Sequence, residues 1–534
     1  MSKSKSMEKR ANGPIPTPTE ELLRQNARLE QQVAELSAKV RWYEEQFRLT
    51  QRRRFATSSE QTHPDQLTLF NEVEAEADPS VPEPTLETVT VQRKKKVPGE
   101  REAKLAQLPV ETFHYKLKEQ ECVCPECAGA LHEMSTEVRR ELKVIPAQVS
   151  VVEHVRHVYS CRHCEQAGVS TPVVTAPMPA AALPGGLASP SMLAHVIHQK
   201  YVNSLPLYRQ EAQFQQYGVA LSRQTMANWL ISASEKWLVP LYRYLHSQLL
   251  EQDHVHADET TLQVLREPGR AAQSQSYLWL YRTGRGAARD VVLYDYQTGR
   301  GGEHPETFLA EFQGYLQTDG YSAYAKLQGV TQLGCWSHAR RKFHEAVQAA
   351  PQGQRATTAA AEGLALCNEL FEVERRWKDA TAEQRHDARL KESRPILDRM
   401  AAWLEHQKGR ALPKGLLGTA ITYCTKQWPK LTVFLQDGRL EIDNNRSERA
   451  IKPTVIGRKN FLFSNTPRGA RASAVLYSIV ETAKANRLKP EAYLQYLFER
   501  LPQLEDVGDP AALEKLAPWS PALPIACRVF EYRT

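Results

Sequence analysis

The order of short apolar segments between residues 254 and 349 constrains the fold of this 534-residue chain more than any other feature. Residues 254–265, 276–282 and 290–296 are rich in β-branched and aromatic side chains and are separated by turns, which predicts three antiparallel strands. Residues 305–312 then predict a short helix beginning at a proline, and residues 314–318 a buried strand. The series ends with a predicted helix over 321–327, a strand over 331–335 and a helix over 336–349.

Three antiparallel strands followed by alternating helix and strand is the order of the ribonuclease-H-like fold. In that order Asp258 lies on the first strand and Asp319 at the end of the fourth, its expected neighbour in the sheet. Glu259 competes with Asp258, but adjacent residues of a strand face opposite sides. Two Mg²⁺ ions close together need several carboxylate oxygens, so we expect a third carboxylate from a nearby helix.

Several residues are candidates for this third carboxylate, and spacing does not choose between them. They are Glu345 on the helix over 336–349 and, much later, Glu441, Asp443 and Glu448. The intervening residues 357–435 contain amphipathic stretches rich in Ala, Glu, Leu and Arg. We interpret them as helices inserted into the catalytic domain.

A heptad repeat near the amino terminus predicts a coiled coil over residues 18–50. Its two seams contain Leu22, Asn26, Leu29, Val33, Leu36 and Val40, and continue to Tyr43 and Phe47. Leucine in one seam with β-branched residues in the other favours a parallel dimer, in which a single asparagine fixes the register. Because the repeat covers only about four heptads, the alternative is an amphipathic helix packed on its own chain.

Two Cys-x₂-Cys pairs predict a zinc-ribbon-like module over residues 105–180. The four cysteines are Cys124, Cys127, Cys161 and Cys164. Four thiolates suit a closed tetrahedral Zn²⁺ site, and the alternating apolar stretch over 149–159 supplies a strand between the pairs. Cys122 and His163 are nearby substitute ligands. The alternative is four reduced thiols in a small β module.

Residues 189–250 predict a helical, helix-turn-helix-like region. One helix covers 207–216, Gly218 makes the turn, and Ser222 caps a second helix over 222–230. Three polar residues of the second helix would face the DNA major groove: Arg223, Gln224 and Asn228. Met226, Trp229 and Leu230 would pack inward. A plain helical pair without DNA contact is the alternative.

Composition limits the function classes only broadly. The net charge of +7 (69 − 62) is mildly basic, so DNA binding must depend on local patches. The chain has no apolar run of 18 residues and no signal peptide, which predicts a cytoplasmic protein. Nine cysteines in a reducing compartment favour metal ligands or free thiols over disulfides. Residues 58–98 are Pro- and Glu-rich with a basic end, which predicts a disordered linker.

Further polar residues surround the candidate carboxylates. Cys335 and His338 form a Cys-x₂-His pair, but no second pair accompanies them, so we interpret Cys335 as packed and His338 as making polar contacts. The neighbouring cations are candidates for contact with DNA phosphates, namely Arg340 and Arg341 before the insertion and Arg449, Lys452, Arg458 and Lys459 after Glu448.

Three segments resemble the bacterial insertion sequence 66 family of transposases. They are GGEHPETFLAEFQGYLQTDGYSAY (301–324), GCWSHARRKF (334–343) and DNNRSERAIKPTVIGRKNFLFSNTPRGA (443–470). The similarity extends from about residue 20 to about residue 500. By this resemblance the acidic triad of the family falls on Asp258, Asp319 and Glu448. The choice of Glu448 comes from the motif, in which the acid follows an Asn-Asn pair and precedes Arg.

The resemblance implies a DNA transposase that binds the terminal inverted repeats of its element and catalyses strand cleavage and strand transfer by two-metal phosphoryl transfer. It implies two Mg²⁺ or Mn²⁺ ions, one structural Zn²⁺, double-stranded DNA at the element ends and at the target, and a homo-oligomer that is at least a dimer. Accessory proteins of the same element are further expected partners. The expected location is the bacterial cytoplasm, on the nucleoid when bound to DNA.

Together these features predict a multidomain α+β chain. Its parts are a coiled coil at 18–50, a linker at 58–98, a zinc-binding module at 105–180, a helical DNA-binding region at 189–250, a ribonuclease-H-like catalytic domain at 251–350 and 436–500 with a helical insertion at 351–435, and a tail at 501–534. Two other functions remain open: a metal-dependent nuclease of the same fold without strand transfer, and a non-catalytic DNA-binding regulator.

Overall fold

The computed structural model describes residues 173–529 without a break, together with residues 148–162 and positions 26, 29, 112 and 166. The chain divides into two units, one of residues 57–152 with 530–534 and one of the remaining residues. Of the first unit the structure describes only residues 112 and 148–152. Within the second, residues 153–162 and 173–529 form a mixed α/β structure. No helix among the described residues is both long and apolar enough to cross a membrane.

A short antiparallel ribbon lies near residue 153 in the larger unit. Strand β1 (Val158–Ser160) pairs with β2 (Val173–Thr175), so that Val158 lies opposite Thr175. Arg156 braces the pair, because its Nε donates to the carbonyl of Ala176 at 2.7 Å.

Among residues 173–253, four helices and one π-helical turn precede the central sheet. They are α1 (Pro190–Tyr201), α2 (Leu207–Gln216), α3 (Arg223–Ala233), the turn Ser234–Leu238 and α4 (Val239–Leu250). Ser222 caps α3 by accepting from the backbone N–H of Thr225 at 3.1 Å. Gly218 turns the chain between α2 and α3 with a φ of +78°, a conformation that favours glycine. The predicted helix pair around Gly218 is therefore confirmed.

The central sheet has five strands in the order β5-β4-β3-β6-β7. The strands are β3 (His254–Gln263), β4 (Gln275–Thr283), β5 (Val292–Gln297), β6 (Gly314–Gln317) and β7 (Val330–Leu333). β3, β4 and β5 are antiparallel neighbours, whereas β6 runs parallel to β3 and β7 parallel to β6. The three-strand meander and the adjacency of the first and fourth strands agree with the prediction.

Two of the helical segments that connect strands of the sheet are shorter than predicted. Helix α5 (Glu303–Phe308) stops at Phe308 because the following Leu309 and Phe312 turn into the core, where both are buried. The expected helix over 321–327 is a 3₁₀ turn, Ser322–Lys326. It lies between two glycines with positive φ, Gly320 and Gly329, which leave too little chain for a longer helix. Helix α6 (Trp336–Ala349) has the predicted bounds.

Residues 352–435 are helical. They form a 3₁₀ turn at Gln352–Thr357, α7 (Ala359–Arg376), α8 (Ala382–Ala388), a π-helical turn at Arg389–Ser393, α9 (Arg394–Lys408), α10 (Leu416–Leu431) and a 3₁₀ turn at Val433–Leu435. Their core includes Trp336, Ala339 and Phe343 of α6. Val347 recurs on the same face at helical spacing and is also buried.

A buried ion pair anchors these helices to the chain that follows them. Arg389 is 1% exposed, and its Nε and Nη2 donate to the two carboxylate oxygens of Glu374, each at 2.7 Å. Its Nη1 donates to the carbonyl of Phe434 at 2.8 Å. The contact holds in place the segment that leads back to the sheet.

Residues 445–529 contain four helices and two 3₁₀ turns: α11 (Asn445–Phe461), α12 (Pro467–Ala485), α13 (Pro490–Arg500), Leu501–Gln503, α14 (Pro510–Leu516) and Ile525–Cys527. Helix α12 covers the sheet at β5. The hydroxyls of Thr482 and Ser478 accept from the backbone N–H groups of Val292 and Tyr294 at 3.0 and 2.8 Å. Side chains thus satisfy backbone donors that an edge strand otherwise leaves unpaired.

Candidate active site

Asp258 lies on the central strand β3, on the same face as His254 and His256. Its carboxyl group is largely buried, and its own Oδ1 accepts from the backbone N–H of Glu259 at 2.9 Å. Burial raises the pKa of Asp258 well above its usual value, and the carboxylates of Glu259, Asp319 and Glu448 raise it further. The carboxyl groups of several acidic residues therefore interact electrostatically at this point of the sheet.

Asp319 follows β6, the parallel neighbour of β3, after one intervening residue. Its Oδ1 accepts from the backbone N–H of Tyr321 at 2.8 Å, and its carbonyl accepts from the hydroxyl of Tyr423 at 3.0 Å. Gly320, with a φ of +92°, makes this turn possible. The turn holds the second carboxylate at the strand end beside β3.

Glu448 lies in the first turn of α11, which packs against β3. Its Oε1 is buried and has no hydrogen-bond partner among the described residues, and it lies 4.0 Å from Nδ1 of His338. The carboxylate of Glu448 raises the pKa of Asp258, as that of Asp319 does. The structure therefore brings all three predicted carboxylates together.

The other candidates for the third carboxylate are exposed or have other hydrogen-bond and ion-pair partners. Glu345 is exposed on α6. Asp443 accepts from Ser337 Oγ at 2.9 Å and from Asn445 Nδ2 at 2.6 Å. Glu441 lies 2.9 Å from His256 Nε2 and accepts from Arg446 Nε at 2.7 Å. Burial alone would raise the pKa of Glu441, but its contacts with His256 and Arg446 hold that pKa well below its usual value.

Glu259 faces away from this group, as expected for the neighbour of Asp258 on a strand. Its carboxylate accepts from Arg300 Nε at 2.9 Å and from the hydroxyl of Tyr324 at 2.8 Å. Burial raises the pKa of Glu259, and the two hydrogen bonds oppose the rise. This carboxylate already has the partners that a buried charge needs.

Asn444 joins three parts of the site and is not among the residues predicted from the sequence. Its Nδ2 donates to the carbonyl of Ala257 at 3.0 Å, its Oδ1 accepts from His256 Nδ1 at 2.9 Å, and its backbone N–H donates to Cys335 Sγ at 3.2 Å. Asn444, His256 and Cys335 are fully buried or nearly so. The sequence feature that could have indicated Asn444 is the Asn-Asn pair before Glu448. Residue spacing did not show which residues this pair contacts.

Cys335 and His338 lie at the beginning of α6, beside Glu448. One ligand atom from each of these three residues lies within 4.8 Å of the others. Burial raises the pKa of the Cys335 thiol to about 12, so the sulfur stays protonated and packed. Burial lowers the pKa of His338, and Asp319 and Glu448 oppose that change. His338 therefore faces the acidic group.

The predicted DNA-contacting residues fall into two classes. Exposed side chains belong to Arg223, Gln224, Asn228, Arg341, Arg449, Lys452 and Lys459. Two others are half-buried: Arg340 Nε donates to Asn368 Oδ1 at 2.7 Å, and Arg458 Nη1 donates to Thr261 Oγ1 at 2.7 Å. On α3, Met226, Trp229 and Leu230 are buried, which is the predicted division between its two faces.

The predicted zinc and multimerisation residues lie largely outside the described residues. Cys161, directly after β1, is described, whereas Cys124, Cys127 and Cys164 are not. Asn26 and Leu29 are helical and exposed. The other coiled-coil positions, Leu22, Val33, Leu36 and Val40, are not described.

Four family models match this chain. The model described as "Transposase IS66 family" matches residues 185–472, which contain all three clustered carboxylates. The "zinc-finger binding domain of transposase IS66" matches residues 121–165, and this match supports a structural Zn²⁺. The "Transposase C of IS166 homeodomain" matches residues 42–112, and the "IS66 C-terminal element" residues 478–519.

Similar proteins occur in Sinorhizobium fredii (strain NBRC 101917 / NGR234). The uncharacterized protein y4jD is 33% identical over 412 residues, which cover 75% of this chain and 78% of y4jD. The uncharacterized protein y4qI is 32% identical over 411 residues, covering 74% of this chain and 73% of y4qI. The uncharacterized protein y4hP is 30% identical over 399 residues, covering 71% and 70%.

Proposed function

This chain belongs to the IS66 family of transposases, and we propose that it uses Asp258, Asp319 and Glu448 to cut the ends of its insertion sequence and join them to target DNA. The observation that carries the proposal is the meeting of these three carboxylates, which come from the middle of β3, the end of β6 and the first turn of α11. The order of strands in the sheet supports a ribonuclease-H-like catalytic domain.

The residues of this cluster fit divalent metal ions. Burial and the neighbouring carboxylates raise the pKa of Asp258, and Glu448 Oε1 is buried without a hydrogen-bond partner among the described residues. Oxygen donors with uncompensated negative charge are the ligands that Mg²⁺ and Mn²⁺ prefer. When bound by Asp258, Asp319 and Glu448, two such ions polarise a phosphodiester and favour deprotonation of a water or hydroxyl.

The chain's own residues supply the framework for this chemistry. Asn444 holds the beginning of α11 against β3, and the turn after Asp319 fixes the second carboxylate. The exposed cations Arg449 and Lys452 continue from Glu448 along α11 and are placed to neutralise DNA phosphates. In the proposed sequence, water breaks the phosphodiester at the element end and releases a 3′-hydroxyl. This hydroxyl then attacks a phosphodiester of the target, forms an ester bond to its phosphorus and displaces the target's own 3′-oxygen as a hydroxyl.

Three further assignments accompany this proposal. The helix pair α2–α3 reads the terminal repeats through Arg223, Gln224 and Asn228, which are exposed on one face of α3. Cys124, Cys127, Cys161 and Cys164 bind the structural Zn²⁺. The heptad seam from Leu22 to Val40 brings at least two copies together at the two element ends.

The test is cleavage and joining of DNA that carries the element ends, with Mg²⁺ present. The intact protein is compared with Asp319→Asn and with Asp398→Asn, a matched substitution of an exposed aspartate on α9. We expect the intact protein and Asp398→Asn to cut and join, and Asp319→Asn to bind the same DNA and do neither.

The outcomes separate the three candidate functions. Cutting without joining by the intact protein, with accessory proteins supplied, identifies a nuclease. Binding by all three proteins without cutting identifies a regulator. Undiminished cutting by Asp319→Asn shows that the acidic cluster is not the active site.

A further inference from the structure

The chain makes a strained turn directly after α11. Leu462 has a φ of +68° and a ψ of −55°, and the backbone N–H of Phe463 donates to the carbonyl of Phe461 at 2.9 Å. This is a three-residue γ-turn in the left-handed region, which is rare and unfavourable for a residue with a side chain. A glycine would adopt it without strain.

Hydrogen bonds on both sides maintain this turn. The backbone N–H of Leu462 donates to the carbonyl of Arg458 at 2.7 Å. After the turn, Ser464 N–H donates to the carbonyl of Gln263 at 2.9 Å, and Leu265 N–H donates to the carbonyl of Ser464 at 3.0 Å. The turn is thus fixed between the end of α11 and the end of β3, and a strained conformation persists only where its surroundings determine it in this way.

The turn presents two large apolar side chains to solvent. Leu462 is 65% exposed and Phe463 45% exposed, although they are adjacent and follow a helix whose other face is buried. We name this pair the apolar tip. Exposed apolar side chains on a rigid, strained support indicate a contact surface more strongly than scattered exposed residues do.

Basic residues surround the apolar tip and continue along α11 towards the acidic cluster. Lys452 follows Glu448 by four positions and Lys459 follows Lys452 by seven, so all three lie on one face of α11. Lys452 and Lys459 are exposed, as is Arg266, whose backbone N–H donates to the carbonyl of Asn465 beside the tip. The charge of this surface complements DNA phosphates.

The distance along α11 relates the tip to the cleavage position. Leu462 lies 14 positions after Glu448 (462 − 448), which at a rise of about 1.5 Å per residue is about 21 Å. Duplex DNA rises about 3.4 Å per base pair, so this length corresponds to about six base pairs. A duplex lying along the basic face with its scissile phosphate at Glu448 brings base pairs at that distance to the tip.

We propose that Leu462 and Phe463 insert between adjacent bases of the bound DNA about six base pairs from the scissile phosphate, unstacking one step there. The inference rests on the proposed function only for the position of the DNA; the tip and its basic surroundings are properties of the described residues. Proteins that insert apolar side chains between base steps combine such a wedge with cations on the backbone. A phenylalanine ring also stacks on any exposed base.

The experiment uses the full chain and element-end duplexes in which 2-aminopurine replaces one base at successive positions. The fluorescence of 2-aminopurine rises when the base is unstacked. We expect the intact protein to raise it several-fold at one step between about four and eight base pairs from the cleavage site. Phe463→Ala and Leu462→Gly lose this signal and bind about tenfold more weakly. Ile525→Ala, which changes an apolar side chain that is also exposed, keeps both.

The salt dependence of DNA affinity distinguishes the contribution of the apolar tip from that of the basic face. Lys452→Ala lowers the slope of log affinity against log salt concentration by about one, because one phosphate contact is lost. The tip variants leave that slope unchanged, because they remove no charge.

Two results overturn the proposal. One is an unchanged fluorescence signal and affinity in both tip variants. The other is a signal that persists while the variants sediment as smaller oligomers, which assigns the tip to a contact with a second copy. Every binding measurement is repeated in Asp319→Asn. If that variant still cuts DNA but the tip-dependent signal remains, the acidic-site proposal fails while the wedge stands.

Discussion

The side chain of Asn444 accepts a hydrogen bond from His256 Nδ1 at 2.9 Å and donates one to the carbonyl of Ala257 at 3.0 Å. The donor to Ala257 fixes the orientation of the amide, so its oxygen must face the imidazole. Residues 256 and 257 immediately precede Asp258, and Asn444 immediately precedes the helix that carries Glu448. The side-chain amide of Asn444 therefore fixes the position of the segment that carries Glu448 relative to the strand that carries Asp258.

Replacing Asn444 is expected to lower stability and the cleavage rate. Asn444→Ala leaves the buried carbonyl of Ala257 and Nδ1 of His256 without partners, which costs about 3 kcal/mol in the free energy of unfolding. Asn444→Asp keeps the acceptor for His256 but loses the donor to Ala257. Both should reduce the single-turnover rate of cleavage and leave DNA affinity unchanged. Urea unfolding and DNA titration measure these effects, and Asn203→Ala, at an exposed asparagine, should change neither.

Asp258→Asn is expected to stabilise the metal-free protein at neutral pH. The pKa of Asp258 is higher in the folded protein than its unfolded value of about 3.8. Below pH 3.8 the carboxyl group is protonated in both states, and its full contribution to the free energy of unfolding is present. That contribution is lost as the pH rises through the folded-state pKa. Removing the ionisable group should therefore add on the order of 1 kcal/mol at pH 7.5 and almost nothing near pH 3.5. Thermal unfolding at the two pH values measures the difference, and equal gains at both would contradict the explanation.

Magnesium should stabilise the intact protein through Glu448. A ligand present at a hundred times its dissociation constant adds about 2.7 kcal/mol to the free energy of unfolding. Glu448→Gln should lose most of this gain, whereas Glu345→Gln, at an exposed glutamate on α6, should retain it. Thermal unfolding over a Mg²⁺ titration distinguishes the variants. A loss in Glu345→Gln together with a normal response in Glu448→Gln would reverse the assignment of the third carboxylate.

Leu462→Gly should raise the stability of the free protein and lower its affinity for DNA. Relief of the left-handed strain outweighs the added flexibility of the unfolded chain, which gives a net gain of about 1 kcal/mol. The comparison is Leu390→Gly, at an exposed leucine within a π-helical turn, which should lose about 1 kcal/mol. Urea unfolding midpoints test the pair, and a destabilised Leu462→Gly would show that the turn is not strained.

Local patterns predicted much of the sheet and its flanking helices. The helix Trp336–Ala349 and the helix Leu207–Gln216 begin and end where apolar periodicity places them. The three-strand meander was recognisable because β-branched and aromatic residues alternate with turn residues. Asp258 and Asp319 became neighbours through strand order alone.

What the sequence left open depends on contacts between distant residues. The choice among Glu441, Asp443 and Glu448 required a motif, because only the folded chain shows that His256 and Ser337 engage the first two. The two side-chain partners of Asn444 lie 187 and 188 positions earlier, beyond the range of any periodicity. The turn at Leu462 was equally hidden, since Phe-Leu-Phe gives no turn signal and the backbone there is imposed by β3 and α11.

The chain order of the acidic cluster also sets when it can exist. Glu448 is synthesised 190 residues after Asp258 (448 − 258), and at about 5 to 20 residues per second that interval lasts about 10 to 40 s. Helix α12, whose hydroxyls satisfy the edge of β5, emerges later still. A nascent chain that has reached residue 447 therefore contains all five strands of the sheet and two of the three carboxylates, and under the proposed function it lacks the third ligand of the metal site.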